Sequence, residues 1–314
     1  MASQKEDDGV KAAVIGIGSN SVRMLLAQLQ GNRGRRLLRD REGTRLFAGL
    51  DSEGRLSAES MDSTAASVQR MAELARTQGA EEISLFATSA TRDAANRENF
   101  AQLLRERTGL PLEICSGEEE AALSFQGATD GRYCGMIDIG GGSTEVVIGQ
   151  GARLDSVVSC QMGAVRLFRR MPIASRKDVP AVSALARQIL AEALSQQPSV
   201  PLPEAWTGVG GTFTTLAAMV RQVPWTERTY MHGIEITQAD AAAWAQRLAD
   251  MPMEERLRLP GLQPHRADIV VHGICILLGA MEQLHIPAMT VSEYGNLDGY
   301  LKRRYDLQGE ISPV

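Results

Sequence analysis

Carboxylates, glycines and hydroxyls stand together in one short segment of this 314-residue chain, Asp138-Ile-Gly-Gly-Gly-Ser-Thr-Glu145. Consecutive glycines let backbone N–H groups approach an anion that any side chain would block. Asp138, at the end of an apolar run, offers oxygens to a divalent cation, and Glu145 adds a second carboxylate. Ser143 and Thr144 offer hydroxyls to phosphate oxygens. The segment predicts a phosphate cradle beside a metal site; the alternative is a glycine-rich hairpin with an acidic rim.

A similar segment occurs earlier in the chain, because residues 15–28 (IGIGSNSVRMLLAQ) align with residues 137–150 (IDIGGGSTEVVIGQ). In both copies an apolar run ends in small residues and a second apolar run follows at once, which predicts two tight strand-turn-strand units. The first copy carries Arg23 where the second carries Glu145. We therefore expect the first loop to bind phosphate and the second to bind a metal ion. The alternative for Arg23 is a solvated position on a strand.

Two further segments place polar groups or glycines where a helix is predicted to begin. Arg92, in ATSATRD, follows a short apolar strand and is suited to bind a phosphate with two N–H groups of its guanidinium. Ser89 and Thr91 in the same segment also fit ordinary helix caps. The turn in GVGGTFTTL can present backbone donors to a phosphate or approach a ribose closely, and its alternative is an ordinary strand-to-helix turn. Its candidate residues are Gly210, Gly211 and Thr212.

Three consecutive glutamates open an apolar helical stretch in the segment SGEEEA. Ser116 fits a helix N-cap, and Glu119 fits the third position of a capping box, so a structural role explains both. Glu120 is not needed for capping. Because neighbouring carboxylates raise one another's pKa, Glu120 is a candidate general base for water, although these residues alone leave its role open.

The order of predicted elements alternates between strands and helices in both halves of the chain. Helices are predicted over 56–78, 96–108, 179–195, 238–249 and 269–284, and strands over 83–87, 205–208 and 289–292. This alternation after a duplicated hairpin indicates an α/β fold of two similar domains with a cleft between them. The turn-like stretch 128–132 predicts the boundary, which gives domains at 1–131 and 132–296.

The composition, 44% hydrophobic and 23% charged, fits one large or two ordinary domains and excludes a disordered chain. A formal net charge of -5 gives no general attraction to a nucleic acid polymer, so a polyanion must be held by local positive charge or metal. The four cysteines lack CxxC spacing, which predicts reduced thiols and disfavours zinc. The polar N-terminus and the lack of a run of about 18 apolar residues predict a cytoplasmic protein without a membrane span.

Motifs spread along nearly the whole chain occur together and in order: GSNSVRML, ATSATRDAAN, SGEEEA, DIGGGSTEVV, MGAVRL, GVGGTFTTLA, RADIVVHGICILLGAME and VSEYGNLDGYL. Together they resemble the exopolyphosphatase and guanosine pentaphosphate phosphatase family. That family belongs to the actin, Hsp70 and sugar kinase superfamily, which implies two duplicated RNase H-like domains. Long members carry a further C-terminal helical domain, and this chain, ending at Val314, resembles the short type. The resemblance also implies that the segment 297–314 packs back on the first domain.

The resemblance assigns roles to the residues that match its motifs. It implies that Glu120 activates the attacking water and that Asp138 and Glu145 serve Mg²⁺ or another divalent cation. The implied substrates are polyphosphate and guanosine pentaphosphate. The implied phosphate contacts are Ser19, Asn20, Ser21, Arg23, Arg92, Gly141, Gly142, Ser143 and Thr144.

Two positions depart from the family pattern. The first loop has Gly16 where the family has aspartate, and the last motif has Leu297 where many members have arginine. Gly16 supports an alternative in which the protein binds polyphosphate or an alarmone as a sensor without catalysis. A phosphotransferase of the same superfamily is a further alternative. The apolar stretch 269–284 fits either a core helix or the interface of a homodimer.

Overall fold

The computed structural model describes residues 9–227, 230–309 and 311–312, which fold as two compact units. The first unit takes the residues up to Ser116 together with those from Leu297 onward, and the second takes Gly117–Asn296. Residues 1–8, which carry the polar N-terminus, lie outside the described residues.

The second unit begins with helix α4 (Gly117–Ala128), so the division precedes this helix instead of following it at 131/132. The physical reason is burial, because Ala121 and Phe125 of α4 pack in one cluster with Met136. A turn signal marks where the chain bends, whereas the surface against which a helix is buried decides which unit it joins.

A five-stranded sheet forms the centre of the first unit. Its strands are β1 (Val10–Ile17), β2 (Val22–Gln30), β3 (Arg33–Glu42), β4 (Glu82–Ala87) and β5 (Leu112–Ile114). The accompanying helices are α1 (Ala58–Thr77), α2 (Ser89–Arg92), α3 (Arg97–Thr108) and α11 (Asn296–Tyr305). The strand order is β3-β2-β1-β4-β5, with β1, β2 and β3 antiparallel and β4 and β5 parallel to β1.

A six-stranded sheet forms the centre of the second unit. Its strands are β6 (Tyr133–Ile139), β7 (Thr144–Gln150), β8 (Arg153–Cys160), β9 (Trp206–Val209), β10 (Glu235–Thr237) and β11 (Ala288–Val291). Besides α4, its helices are α5 (Ala164–Arg170), α6 (Val179–Ser195), α7 (Gly211–Arg221), α8 (Gln238–Ala249), α9 (Met253–Arg256) and α10 (Val270–Gln283). The strand order is β10-β11-β9-β6-β7-β8.

The two sheets share one plan. Without the edge strand β10, the order β8-β7-β6-β9-β11 repeats β3-β2-β1-β4-β5, with the same antiparallel and parallel neighbours. The register irregularity recurs at equivalent positions of the repeat, between Leu26 and Ala27 and between Ile148 and Gly149. The predicted fold class, two duplicated RNase H-like α/β domains, is confirmed.

Helix α10 corresponds to the apolar stretch 269–284, for which the sequence allowed either a core helix or the interface of a homodimer. Its residues from Val270 to Leu277 are all buried, and the helix packs against α6 and α8 of its own unit. The stretch is therefore a core helix of the second unit. The homodimer stays a prediction, and this helix gives it no support.

The arginine-rich strand β3 is not uniformly solvated. Arg36 is 1% exposed, and its Nη2 and Nε donate to Asp298 Oδ1 of α11 at 2.6 and 3.1 Å. Arg36 is therefore not a solvated strand residue, although charged residues surround it in sequence. A buried guanidinium requires an ionic partner, and here the partner fixes α11 to the sheet of the first unit.

The four cysteines are buried free thiols, as expected for reduced residues. Burial raises the pKa of the Cys134 thiol to about 11, so this side chain behaves as a small apolar group. Among the helices in the described ranges, none combines the length and apolarity needed to cross a membrane.

Candidate active site

The second hairpin places Asp138 and Glu145 directly opposite each other. Strands β6 and β7 pair in a register that sets Asp138 against Glu145 and Ile139 against Thr144. The turn between them is closed by the Gly140 N–H, which donates to the Ser143 carbonyl at 3.0 Å. Side chains at such opposed positions share one face of the sheet, with Cβ atoms about 5 Å apart. The hairpin therefore brings both predicted metal-binding carboxylates to one spot.

The carbonyl oxygens of the glycine loop are held by the start of α5. Backbone N–H groups there donate to the carbonyls of Gly140 and Gly141 at 2.9 to 3.1 Å, and Arg166 Nε donates to the Gly142 carbonyl at 2.7 Å. In a trans peptide the C=O and the following N–H point in opposite directions. The N–H groups of Gly141, Gly142 and Ser143 therefore point away from α5, and none donates to another backbone group in the described part of the chain. This arrangement suits an anion cradle.

Glu120, Asp138 and Glu145 form a buried carboxylate cluster in the second unit. Burial raises the pKa of Glu145 well above its ordinary value, and the charges of Glu120 and then Asp138 raise it further. Hydrogen bonds with Ser143 and Ser159 act in the opposite direction, with Ser159 Oγ 2.8 Å from Glu145 Oε1. A cation beside this cluster would relieve the same repulsion.

Glu145→Gln is expected to stabilise the metal-free protein at high pH. A carboxyl group with a raised pKa in the folded state contributes stability that is present below its unfolded pKa and lost as pH rises through the folded value. In EDTA, the wild-type Tm should therefore fall between pH 5 and pH 8 more than the Tm of Glu145→Gln. Glu118→Gln, at an exposed position of α4, is the control. Equal pH dependence of Tm in wild type and Glu145→Gln would contradict the described cluster.

The donor atoms of this cluster fit a hard divalent cation. Within the described residues, no group of three or more His, Cys, Asp or Glu side chains has the geometry of a complete metal site. Mg²⁺ is commonly held by one or two carboxylates and completes its shell with water and substrate phosphates. Asp138 and Glu145 are the residues that would hold it.

Asp138 is held on two sides. The Ser124 hydroxyl of α4 donates to Asp138 Oδ2 at 2.6 Å. The other oxygen faces Gly210, where a β-carbon would lie 2.6 Å from Oδ1. Gly210 also has a φ of 95°, which a residue with a side chain rarely adopts. The predicted turn residue Gly210 is thus needed for the close approach of the α7 turn to Asp138.

The start of α7 offers backbone groups, and the Thr212 side chain packs inside the unit. Thr212 is buried, and its Oγ1 lies against Gly273 of α10, where a β-carbon would come within 2.5 Å. A β-carbon at Gly211 would lie 2.0 Å from Cζ of Arg266, so a guanidinium packs directly on this turn. Phosphate binding by Gly210, Gly211 and Thr212 stays a prediction that concerns their backbone N–H groups.

The Thr144 hydroxyl has a different partner from the predicted one. Thr144 is buried in β7, and its Oγ1 donates to the Met162 carbonyl. A hydroxyl has a single proton to donate, so this side chain ties the loop to the segment before α5 and does not donate to phosphate. Ser143, whose side chain hydrogen-bonds Glu145, remains beside the cluster.

The first hairpin repeats the loop geometry of the second. The Gly18 N–H donates to the Ser21 carbonyl at 3.0 Å, and the carbonyls of Ser19 and Asn20 accept from backbone N–H groups of residues 45–47 at 2.9 and 3.2 Å. Again the segment after the third strand holds the loop carbonyls. In both loops the peptide N–H groups therefore point away from the segment that holds the carbonyls.

Asn20 is the residue of this loop whose environment most favours a ligand. Its side chain is buried, yet neither its amide nitrogen nor its amide oxygen has a hydrogen-bond partner among the described residues. An unpaired buried polar group costs about 1–3 kcal/mol. The hydroxyls of Ser19 and Ser89, by contrast, are 2.8 Å apart and paired. The prediction that Asn20 contacts phosphate is consistent with this cost.

The two predicted phosphate-binding arginines lie in the first unit. Arg23 stands in β2 directly between Gly16 and Arg41 of the neighbouring strands. Arg92 closes α2, and its Nη1 donates to the Cys115 carbonyl at 3.0 Å. Arg23 and Arg41 thus stand directly opposite each other on neighbouring strands, where two like charges repel.

Gly16 occupies the position of the first hairpin that corresponds to Asp138. A β-carbon there would lie 2.9 Å from Leu297 Cδ2 and 3.0 Å from Phe86 Cζ. Phe86 in turn stacks on Tyr300 of α11 with ring centroids 5.1 Å apart. The two departures from the family pattern, Gly16 and Leu297, are thus in contact, and apolar side chains fill the space where a carboxylate would stand.

Comparisons with known proteins identify the family of this chain. The sequence profile of the Ppx/GppA phosphatase family matches residues 28–306. The chain belongs to this family. Exopolyphosphatase 2 of Mycobacterium tuberculosis is 34% identical over 310 residues, covering 92% of this chain and 97% of the mycobacterial protein. The resemblance drawn from the motifs is confirmed.

Solved structures of Ppx/GppA proteins superpose along nearly the full length. The Aquifex aeolicus PPX-GPPA enzyme has a TM-score of 0.78 at 28% identity, covering 93% of this chain and 98% of its own. An exopolyphosphatase-like protein has a TM-score of 0.87 at 25% identity, covering 95% and 98%.

Four residues that contact this candidate site were not singled out from the sequence: Ser124, Ser159, Arg166 and Arg266. Arg166 and Arg266 lie in MGAVRL and RADIVV, motifs that carried the resemblance, so a signal for them was present. The two serines give no sequence signal, because a serine in a helix or strand carries no mark of the carboxylate that it contacts.

Proposed function

We propose that the protein is a phosphohydrolase that releases terminal phosphate from inorganic polyphosphate, with guanosine pentaphosphate as the second candidate substrate. The observation that carries this proposal is the buried cluster of Glu120, Asp138 and Glu145 on the hairpin and helix beside the glycine loop. Membership of the Ppx/GppA phosphatase family and the name of the mycobacterial relative, exopolyphosphatase 2, support the same activity.

In the proposed reaction, Glu120 takes a proton from water as the water attacks the terminal phosphoryl group, and the shortened chain leaves with its bridging oxygen. The outward N–H groups of Gly141, Gly142 and Ser143 bind phosphate oxygens. A magnesium ion held by Asp138 and Glu145 would supply charge neutralisation when bound. Arg23 and Arg92 contribute the positive charge that a protein of net charge -5 must provide locally.

Gly16 favours one alternative, a sensor that binds polyphosphate or an alarmone without hydrolysing it. The first hairpin has no carboxylate at this position, and Leu297 and Phe86 fill the space. Retention of Glu120 beside the two carboxylates of the second hairpin favours the hydrolase, because binding alone does not require a buried base.

A cytoplasmic location also remains a prediction.

Phosphate release by the purified protein tests the proposal. Long polyphosphate, short polyphosphate and guanosine pentaphosphate are compared with and without Mg²⁺, and ATP with sugars or carboxylates is assayed for phosphotransfer. We expect Mg²⁺-dependent phosphate release from polyphosphate without any acceptor. Tight binding of polyphosphate with no release would support the sensor, and release that requires an acceptor would support a phosphotransferase.

A further inference from the structure

A serine hydroxyl connects the helix that carries the proposed base to the carboxylate that would hold the metal. Ser124 Oγ donates to Asp138 Oδ2 at 2.6 Å, and both residues are buried. Asp138, when ionised, only accepts hydrogen bonds. The hydroxyl proton is therefore committed to this carboxylate, in a short charge-assisted bond.

Ser124 lies on the same side of helix α4 as the proposed base. Glu120 and Ser124 lie four residues apart in α4 and so share one side of the helix. Glu120 is close enough to Glu145 to raise the pKa of that carboxyl group. One side of α4 thus presents both the proposed base and the hydroxyl that touches Asp138.

A buried helical serine does not need such a partner. Ser67 of α1 is also buried, and its hydroxyl donates to the Ser63 carbonyl one turn earlier at 3.1 Å. That is the ordinary bond of a serine inside a helix. Ser124 instead spans to another element, 14 positions along the chain.

The bond restricts how Asp138 can turn. Its Oδ2 is held by Ser124, and its Oδ1 is confined beside Gly210, where a β-carbon would come within 2.6 Å. A carboxylate held at one oxygen and confined at the other has a fixed orientation. Groups that orient a metal-binding side chain in this way typically change metal affinity by about 10–100-fold when removed.

We propose that Ser124 is a positioning residue of the metal site: its hydroxyl holds Asp138 in the orientation that binds a divalent cation and so sets the affinity for that cation. This rests on the proposed function insofar as Asp138 is the metal ligand. The inference concerns binding of the cation and not the transfer of phosphate.

Isothermal titration of the full, metal-free chain with Mn²⁺, without substrate, tests the proposal. Ser124→Ala should weaken Mn²⁺ binding by about 10–100-fold, and Ser124→Thr, which keeps the hydroxyl, should restore most of it. Ser67→Ala, which removes a buried helical hydroxyl elsewhere, should bind as wild type does. Thermal melts of each variant in EDTA establish that the variants are folded. In phosphate release, Ser124→Ala should need more Mg²⁺ for half-maximal rate, with KM for polyphosphate at saturating Mg²⁺ near the wild-type value.

Asp138→Asn separates this inference from the function on which it rests. Loss of Mn²⁺ binding in Asp138→Asn together with unchanged binding in Ser124→Ala would overturn the role of Ser124 and leave the metal site in place. Unchanged binding in both variants would overturn the metal site and the role of Ser124 together. Loss in both, with rescue by Ser124→Thr, is the result that we expect.

Discussion

Glu120→Gln is expected to lower kcat for phosphate release from polyphosphate by about 10² to 10⁴-fold, the usual contribution of general-base assistance. Glutamine keeps the size and hydrogen-bonding capacity of the side chain but does not take up a proton from water. Glu120 is 7% exposed and lies in the same buried cluster as Glu145.

The affinity of the Glu120→Gln variant for phosphate should persist, because the loop N–H groups and arginines are untouched. Kd for inorganic phosphate and KM for polyphosphate, measured beside kcat, separate the two effects. Glu118→Gln, two residues earlier and exposed, is the matched control and should turn over as wild type does. Wild-type kcat in Glu120→Gln would remove this residue from the mechanism.

Gly16→Asp is expected to impair the protein and not to raise its activity. The new side chain would press on Leu297 Cδ2 and Phe86 Cζ, and overpacking of this kind costs about 1–3 kcal/mol of the free energy of unfolding. Arg23 stands directly opposite on β2, so an aspartate that avoided the apolar contacts would pair with this guanidinium and compete with phosphate for it.

Two readouts follow for Gly16→Asp: a lower midpoint of denaturant unfolding and a higher KM for polyphosphate. Gly16→Ala isolates the steric part, because it adds the β-carbon without the charge. Gly16→Asp combined with Leu297→Ala relieves the contact with Leu297 and should recover stability. A rise in kcat of Gly16→Asp by orders of magnitude, with a stable fold, would instead mean that Gly16 is a lesion in an otherwise complete site.

The sequence predicted those features that short segments specify. The two hairpins follow from apolar runs interrupted by small residues, and their equivalence extends to the register irregularities at Leu26/Ala27 and Ile148/Gly149. Helix α6 is observed at Val179–Ser195 as its periodicity predicts. The fold class follows from this repeat, because two copies of one strand plan produce two copies of one sheet.

Features that depend on distant partners were not predictable in this way. Charged neighbours in sequence, as Arg36 has, are typical of a solvated strand, but Arg36 is buried with its partner Asp298, which lies 262 positions away. The Thr144 hydroxyl was assigned to phosphate from its place in the motif, whereas Met162 accepts its proton. Helix α4 follows the first half in sequence and is buried in the second. In each case the deciding contact is long-range in sequence, and no pattern within a short window carries it.

Hydrolysis of polyphosphate in ¹⁸O-labelled water, with Mg²⁺ and no other acceptor, tests the central claim most directly. If water attacks the terminal phosphoryl group, each released phosphate carries one oxygen from the solvent, and Glu120→Gln abolishes most of the labelled product. Absence of Mg²⁺-dependent phosphate release, or release of phosphate without solvent oxygen, would contradict the proposal that this protein is a polyphosphate hydrolase.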